Sequence, residues 1–167
     1  SVMVLVIGLL TTGAALLLLR AGMAGYAAYR RRFTENARAK LEEAFVLLLT
    51  EDEQRRWLKP GMRAVDLGAA PGGWTFQLVR RSIHVTAIDN GPMDRALLDS
   101  GLVEHLRADG FRYRPKKPVD WLVCDMVEQP RRIADLIAQW LSAGACRRAI
   151  SNLKLPMKKP YQETQGC

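Results

Sequence analysis

Asp66, Asp89, Asp109 and Asp125 each stand at the end of a short apolar run, and the first of them leads into a glycine-rich turn: residues 63 to 74 read Arg-Ala-Val-Asp-Leu-Gly-Ala-Ala-Pro-Gly-Gly-Trp. Gly68, Gly72 and Gly73 let the backbone take positive φ and approach a ligand within contact distance, which a Cβ would prevent. Pro71 stiffens the same turn. Asp66 sits where open α/β sheets place ligand-facing groups, in the crevice outside the carboxyl ends of the strands. Neither the G-x-G-x-x-G of dinucleotide sites nor the G-x-x-x-x-G-K-[ST] of a phosphate loop is present. A carboxylate ahead of Gly-x-x-Pro-Gly-Gly suits a cofactor with a cationic sulfonium and an amino-acid tail better than a pyrophosphate.

The remaining acids extend that reading. His84 to Asp89 is a second short strand ending in an acid, about 20 residues beyond the loop, where Rossmann-like folds put the carboxylate that holds a ribose diol. Residues 102 to 109 deliver Asp109, followed by Gly110, in position to reach an adenine edge. Val119-Asp-Trp-Leu-Val-Cys-Asp125 is a buried-type strand that again ends in Asp. Taken singly, such acids are more often helix caps or turn residues; the series is what points to a ligand cleft. Trp74, beside the glycines, is the aromatic expected near the ligand, whereas Trp57, Trp121 and Trp140 read as core.

These residues need a scaffold. Helices are expected over 38 to 49, 74 to 81, 93 to 100 and 130 to 141, alternating with the strands and so arguing for parallel βαβ units. The fold class is therefore α/β, a Rossmann-like sheet with helices on both faces. Residues 36 to 167 read as that domain, and residues 1 to 35 as an apolar helix followed by a basic linker.

Asp66-Leu-Gly-Ala-Ala-Pro-Gly-Gly-Trp74, Asp89-Asn-Gly-Pro-Met93, Trp121-Leu-Val-Cys-Asp-Met-Val-Glu128 and Asn152-Leu-Lys-Leu-Pro-Met-Lys-Lys159 resemble the S-adenosylmethionine-dependent ribose 2'-O-methyltransferases of the FtsJ/RrmJ superfamily. The likeness runs from about Lys40 to Tyr161 and is closest to members that methylate a cytidine of 23S ribosomal RNA. It implies S-adenosylmethionine as cofactor, held by Asp66, Gly68, Ala70, Pro71, Gly72, Gly73, Trp74, Asp89, Asp109 and Asp125, and 23S rRNA as partner. It also implies a Lys-Asp-Lys-Glu constellation around the ribose hydroxyl, of which Lys40, Asp125 and Lys154 match three positions. A ribose hydroxyl is a poor nucleophile, so it must be held in line and relieved of its proton. Lys154 accepts that proton only when neutral, so burial or a second cation such as Lys40 must lower its pKa from the ordinary value of about 10.4. Asp125 favours the ammonium form and is assigned to orienting Lys154 and the cofactor.

Some positions depart from the family. Ala37 stands where members have a serine that contributes to the cofactor site, close members have Cys in place of Ala70, and Pro160 replaces a basic residue. The last strands of the domain, which carry the fourth member of the constellation, are expected to be missing, leaving a sheet edge open.

Val2 to Leu19 carries no charge and is long enough for a membrane span of about 17 to 25 residues. Arg20 and Arg30 to Arg32 follow it, which by the positive-inside rule keeps the catalytic part cytoplasmic. The alternative function is thus an inactive, membrane-tethered RNA- or cofactor-binding module. The net charge of +8 and pI near 9.8 favour a polyanionic partner. Basic residues cluster at 30 to 38, 112 to 117 and 154 to 159, with Tyr113 and Tyr161 interleaved as stacking platforms for RNA bases. Cys124, Cys146 and Cys167 show no C-x-x-C spacing, and His84 and His105 are isolated, so no metal or disulfide framework is expected. A monomer is expected.

Overall fold

The computed structural model of the chain describes residues 4–7 and 23–153. Eleven elements follow in order: β1 (Val4–Ile7), α1 (Met23–Leu48), α2 (Glu51–Trp57), β2 (Arg63–Leu67), α3 (Gly73–Val79), β3 (His84–Ile88), α4 (Arg95–Asp99), β4 (Val103–Leu106), β5 (Val119–Cys124), α5 (Pro130–Ser142) and β6 (Cys146–Asn152). The strands form one parallel sheet in the order β1-β6-β5-β2-β3-β4.

Strand alternation divides the core into two layers. Ala64, Trp121, Val123 and Ile150 point to the face covered by Leu41 and Phe45 of α1 and Leu78 of α3. Val65, Leu67, Leu122, Cys124 and Ala149 point to the other, against Ile133, Leu136, Ile137 and Trp140 of α5. Helices thus cover both faces, as runs of apolar residues in parallel strands demand. Trp121 sits at the heart of the first layer, fully buried. Its ring meets Phe45 edge-on at 5.8 Å, and its Nε1 donates to the Trp57 carbonyl at 2.6 Å.

The four helices expected within residues 36 to 167 are all present with shifted ends, and two elements of that part were not foreseen. One is α2, capped by a reciprocal box in which Thr50 Oγ1 accepts from Glu53 N and the Glu53 carboxylate accepts from Thr50 N. The other is β6, whose Arg147 and Arg148 obscure an otherwise apolar strand; the Arg148 guanidinium stacks 4.1 Å from the Trp57 ring instead of standing free.

Helix α1 begins well before residue 38 and continues through residues 35 and 36, so the stretch read as a basic linker is helical. The apolar amino-terminal segment, expected as a helix, is a strand over Val4–Ile7, paired with Ala149 to Asn152 of β6. Parallel pairing satisfies one side of β1, which becomes the outer edge, and covers Ala149 to Asn152 of the β6 edge that was expected to lie open. Residues 2–3 and 8–19, the rest of the segment read as a membrane span, lie outside the described residues. Among the described residues no helix is long and apolar enough to cross a membrane.

The crossover from β4 to β5, residues 107–118, contains no helix. It packs Phe111 and Tyr113 onto the α5 layer instead.

Candidate functional site

At the carboxyl ends of β2, β3, β4 and β5 the chain opens into a cleft of about 520 Å³, within the range of small-molecule sites. Gly68, Ala70, Asp89, Asp109 and Asp125 line it, together with Asn90, Gly110, Phe111 and Met126. Five expected site residues are therefore gathered from four separate strand ends.

Asp89, just beyond β3, ties two loops together. Its Oδ2 accepts from Ala70 N at 3.1 Å and its Oδ1 from Gly91 N at 2.7 Å. Each oxygen keeps a lone pair for a ligand hydroxyl. His105 Nε2 lies 2.9 Å from the Asp89 carbonyl oxygen, so that nitrogen carries the proton, and the histidine serves the loop and not a metal. Among the described residues no cluster of metal-ligating side chains occurs. Asp109 Oδ1 accepts from Phe111 N at 2.8 Å, which turns the chain so that Gly110 and Phe111 face the cleft. Asp125 Oδ1 accepts from Asn152 Nδ2 at 2.9 Å, joining the exits of β5 and β6.

The glycine loop divides its labour. Gly68 has φ +77°, and a Cβ there would lie 2.8 Å from Met126 Cγ and 3.1 Å from Met126 Cα, so only glycine lets the exits of β2 and β5 pass. Gly73, in contrast, is needed for packing: its Cβ would meet that of Ala37 at 2.6 Å. Pro71, Gly72 and Gly73 are not among the cleft-lining residues. Gly72 is the N-cap of α3, and Ala37 is buried against the start of that helix. Trp74 corrects the sequence reading. It points into the α1 layer with Leu41, Phe45 and Leu78, away from the cleft, because the first turn of α3 aims it at the sheet.

Asp66 lies beneath the cleft, 1% exposed, with Oδ2 accepting from Thr75 Oγ1 at 2.7 Å and Oδ1 unpartnered. Burial pushes its carboxyl up to about 7; the Thr75 hydrogen bond opposes this, and the charges of Asp125 and Asp89 add to it. The folded state therefore holds the Asp66 proton that the unfolded chain has released above pH 4. Stability from this group is full below its ordinary pKa and declines as pH rises toward 7. The stability of wild type relative to Asp66→Asn is expected to increase as pH falls from 7.5 to 5, read from paired thermal melts. A pH-independent difference would show that Asp66 is ionised throughout.

Lys40 is half-buried on α1 and does not line the cleft. Lys154 lies outside the described residues, immediately after the buried Leu153. Sequence reasoning missed Asn152, Thr75 and Met126. Asn152 was visible inside Asn-Leu-Lys-Leu, but its role needs the adjacency of β5 and β6. Thr75 and Met126 carry no spacing signal, since they act through packing and one hydrogen bond.

The family described as FtsJ-like methyltransferase matches residues 38–152. Among curated relatives, Ribosomal RNA large subunit methyltransferase M of Methylococcus capsulatus is 66% identical over 77% of this chain and 36% of its own length. The protein of the same name from Cellvibrio japonicus is 63% identical over 78% of this chain and 37% of its own. The chain thus spans little more than a third of the length of these relatives. A solved ribosomal RNA methyltransferase from Plasmodium falciparum overlaps more loosely, 16% identical with a TM-score of 0.49 over 64% of this chain and 69% of that one.

Proposed function

The chain belongs to the FtsJ-like methyltransferase family, and from that premise we propose that it binds S-adenosylmethionine and methylates the ribose 2'-hydroxyl of a cytidine in 23S ribosomal RNA, as a monomer in the cytoplasm. The observation that carries the reading is the cleft in which Asp89, Asp109 and Asp125 converge beside the bare backbone of Gly68 and Gly110. The two relatives named for methylating large-subunit ribosomal RNA support the substrate.

The residues present fit the cofactor. Asp89 keeps acceptor capacity for a ribose diol, Asp109 and Phe111 offer an acceptor and a flat apolar wall for an adenine, and the carboxylates suit a cation. When bound, S-adenosylmethionine supplies an electrophilic methyl group on its sulfonium. The protein then has two tasks: to hold the ribose hydroxyl in line, and to take its proton. Asp125, fixed by Asn152, serves the first; Lys154 Nζ takes the second, with Lys40 the cation assigned to lowering its pKa.

Calorimetric titration of S-adenosylmethionine into the full chain tests the cofactor step, with Asp89→Ala as control. The variant loses a charged acceptor that bridges Ala70 N and Gly91 N, so its Kd is expected to rise about 100-fold, or about 2.7 kcal/mol. Absence of binding in folded wild type would overturn the reading. Transfer of a labelled methyl group to unmodified 23S rRNA, located at a cytidine ribose, tests the reaction itself.

A further inference from the structure

The helix-free crossover between β4 and β5 has a feature that methyl transfer does not use. In Phe111-Arg-Tyr-Arg-Pro-Lys-Lys117 exposure alternates: Phe111, Tyr113 and Pro115 are half-buried, while Arg112, Arg114 and Lys116 are exposed, with Lys117 beside them. The segment is no strand: Arg112 N and Tyr113 N both donate to the Asp109 carbonyl, at 3.1 and 2.9 Å, in a turn that leaves the cations on the side away from Phe111 and Tyr113. The inner side is anchored. The Arg132 guanidinium stacks 4.5 Å from the Phe111 ring centroid, and the Tyr113 ring lies 6.3 Å from that of Trp140.

The outer row is correspondingly held in place and cationic. Arg114 donates to the Phe111 and Tyr113 carbonyls and to Gln139 Oε1, which stiffens the middle of the row. Arg112 is 89% exposed and pairs with Asp109 only at 3.7 Å. No ion pair among the described residues involves Lys116 or Lys117. Over residues 107 to 117 five cations face a single acid, Asp109. Other acids share the segment's surroundings: Glu104 lines the cavity with Arg114, Lys116 and Lys117, Asp135 the crevice with Phe111 and Arg132, and Glu128 the cleft with Phe111. The row begins at the cleft, since Asp109, Gly110 and Phe111 line it.

We propose that residues 112–117 form a ledge that carries the phosphate backbone of single-stranded RNA toward the cleft, through Arg112, Lys116 and Lys117. The choice of RNA rests on the function proposed above. The ledge itself rests on its anchored inner side and on charge complementarity, because several exposed cations held on one segment that opens at the cleft match a polyanion better than a point anion. Arg112, Lys116 and Lys117 are outside the cofactor machinery, so changing them tests the ledge alone.

The test is fluorescence anisotropy of a labelled single-stranded RNA against the full chain and its Arg112→Ala/Lys116→Ala/Lys117→Ala variant, across a salt series. The variant is expected to bind RNA at least tenfold more weakly, and its slope of log affinity against log salt to be shallower by about 2, from about 0.7 per phosphate contact. Its affinity for S-adenosylmethionine, titrated in parallel, is expected to match wild type, which also reports that it folds. RNA affinity within twofold of wild type with an unchanged slope would overturn the proposal, as would wild type that binds phosphatidylserine vesicles but no RNA. Loss of RNA binding in the variant, in a chain that never binds S-adenosylmethionine, would support the ledge while refuting the proposed function.

Discussion

Lys154→Ala is expected to lower methyl transfer to 23S rRNA by about 10²- to 10⁴-fold, the usual contribution of a positioned acid or base, while Kd for S-adenosylmethionine stays within a few-fold. The argument starts from β6. Asn152 is fixed to Asp125 at 2.9 Å, and Leu153 is buried, so the chain is pinned beside the cleft wall immediately before residue 154. The role proposed for Lys154 starts from that anchor, because Leu153 is the last fixed residue before it. Lys154→Arg separates two roles. Arginine keeps the charge but does not give up its proton at accessible pH. If Lys154 is the base, Arg should be as slow as Ala in single-turnover assays; activity near wild type in the Arg variant would assign Lys154 to charge stabilisation instead.

Trp121→Ala is expected to cost about 3–5 kcal/mol of stability, the range for deleting a large buried ring. Against a typical total of about 5–15 kcal/mol, that removes a third or more of the stability of an average domain and leaves one at the low end of the range partly unfolded. Trp121 is fully buried in a central strand, touches Phe45 edge-on at 5.8 Å and gives its Nε1 proton to the Trp57 carbonyl. Arg148 also lies over its ring, 5.9 Å from the centroid. Trp121→Phe retains a ring against Phe45 and loses the hydrogen bond, so it should be markedly milder. Urea melts of the three proteins check the order. A loss below about 1 kcal/mol for the Ala variant would mean that the α1 layer closes over the gap.

The cleft was legible because polar residues ending apolar runs are conspicuous: Asp89, Asp109 and Asp125 could be placed without knowing the sheet order. What faced inward was not. Trp74 sits next to the glycines in sequence, yet the start of α3 turns it into the core, and no local signal distinguishes the two directions. Helix α2 was readable in hindsight from Thr50-x-x-Glu53, a capping box ahead of a short charged stretch with no buried residue to set a period. In β6, Arg147 and Arg148 broke the apolar run, because the aromatic partner that accommodates Arg148 lies in α2. Val4–Ile7 reads equally as part of a long apolar helix; its pairing with β6 depends on an edge more than 140 residues away.

That pairing has a temporal side. During translation Val4–Ile7 emerges 145 residues before Asn152, the last residue of its partner strand, counting from Ile7. At about 5–20 residues per second the apolar tetrapeptide waits on the order of ten seconds for its acceptor. Meanwhile β2, β3, β4 and β5 already have one another. On the ribosome β1 therefore precedes every other strand of this sheet in synthesis and follows them all in docking, since β6 is the last to emerge. A holdase bound to the nascent Val4–Ile7 segment would delay only this closing step.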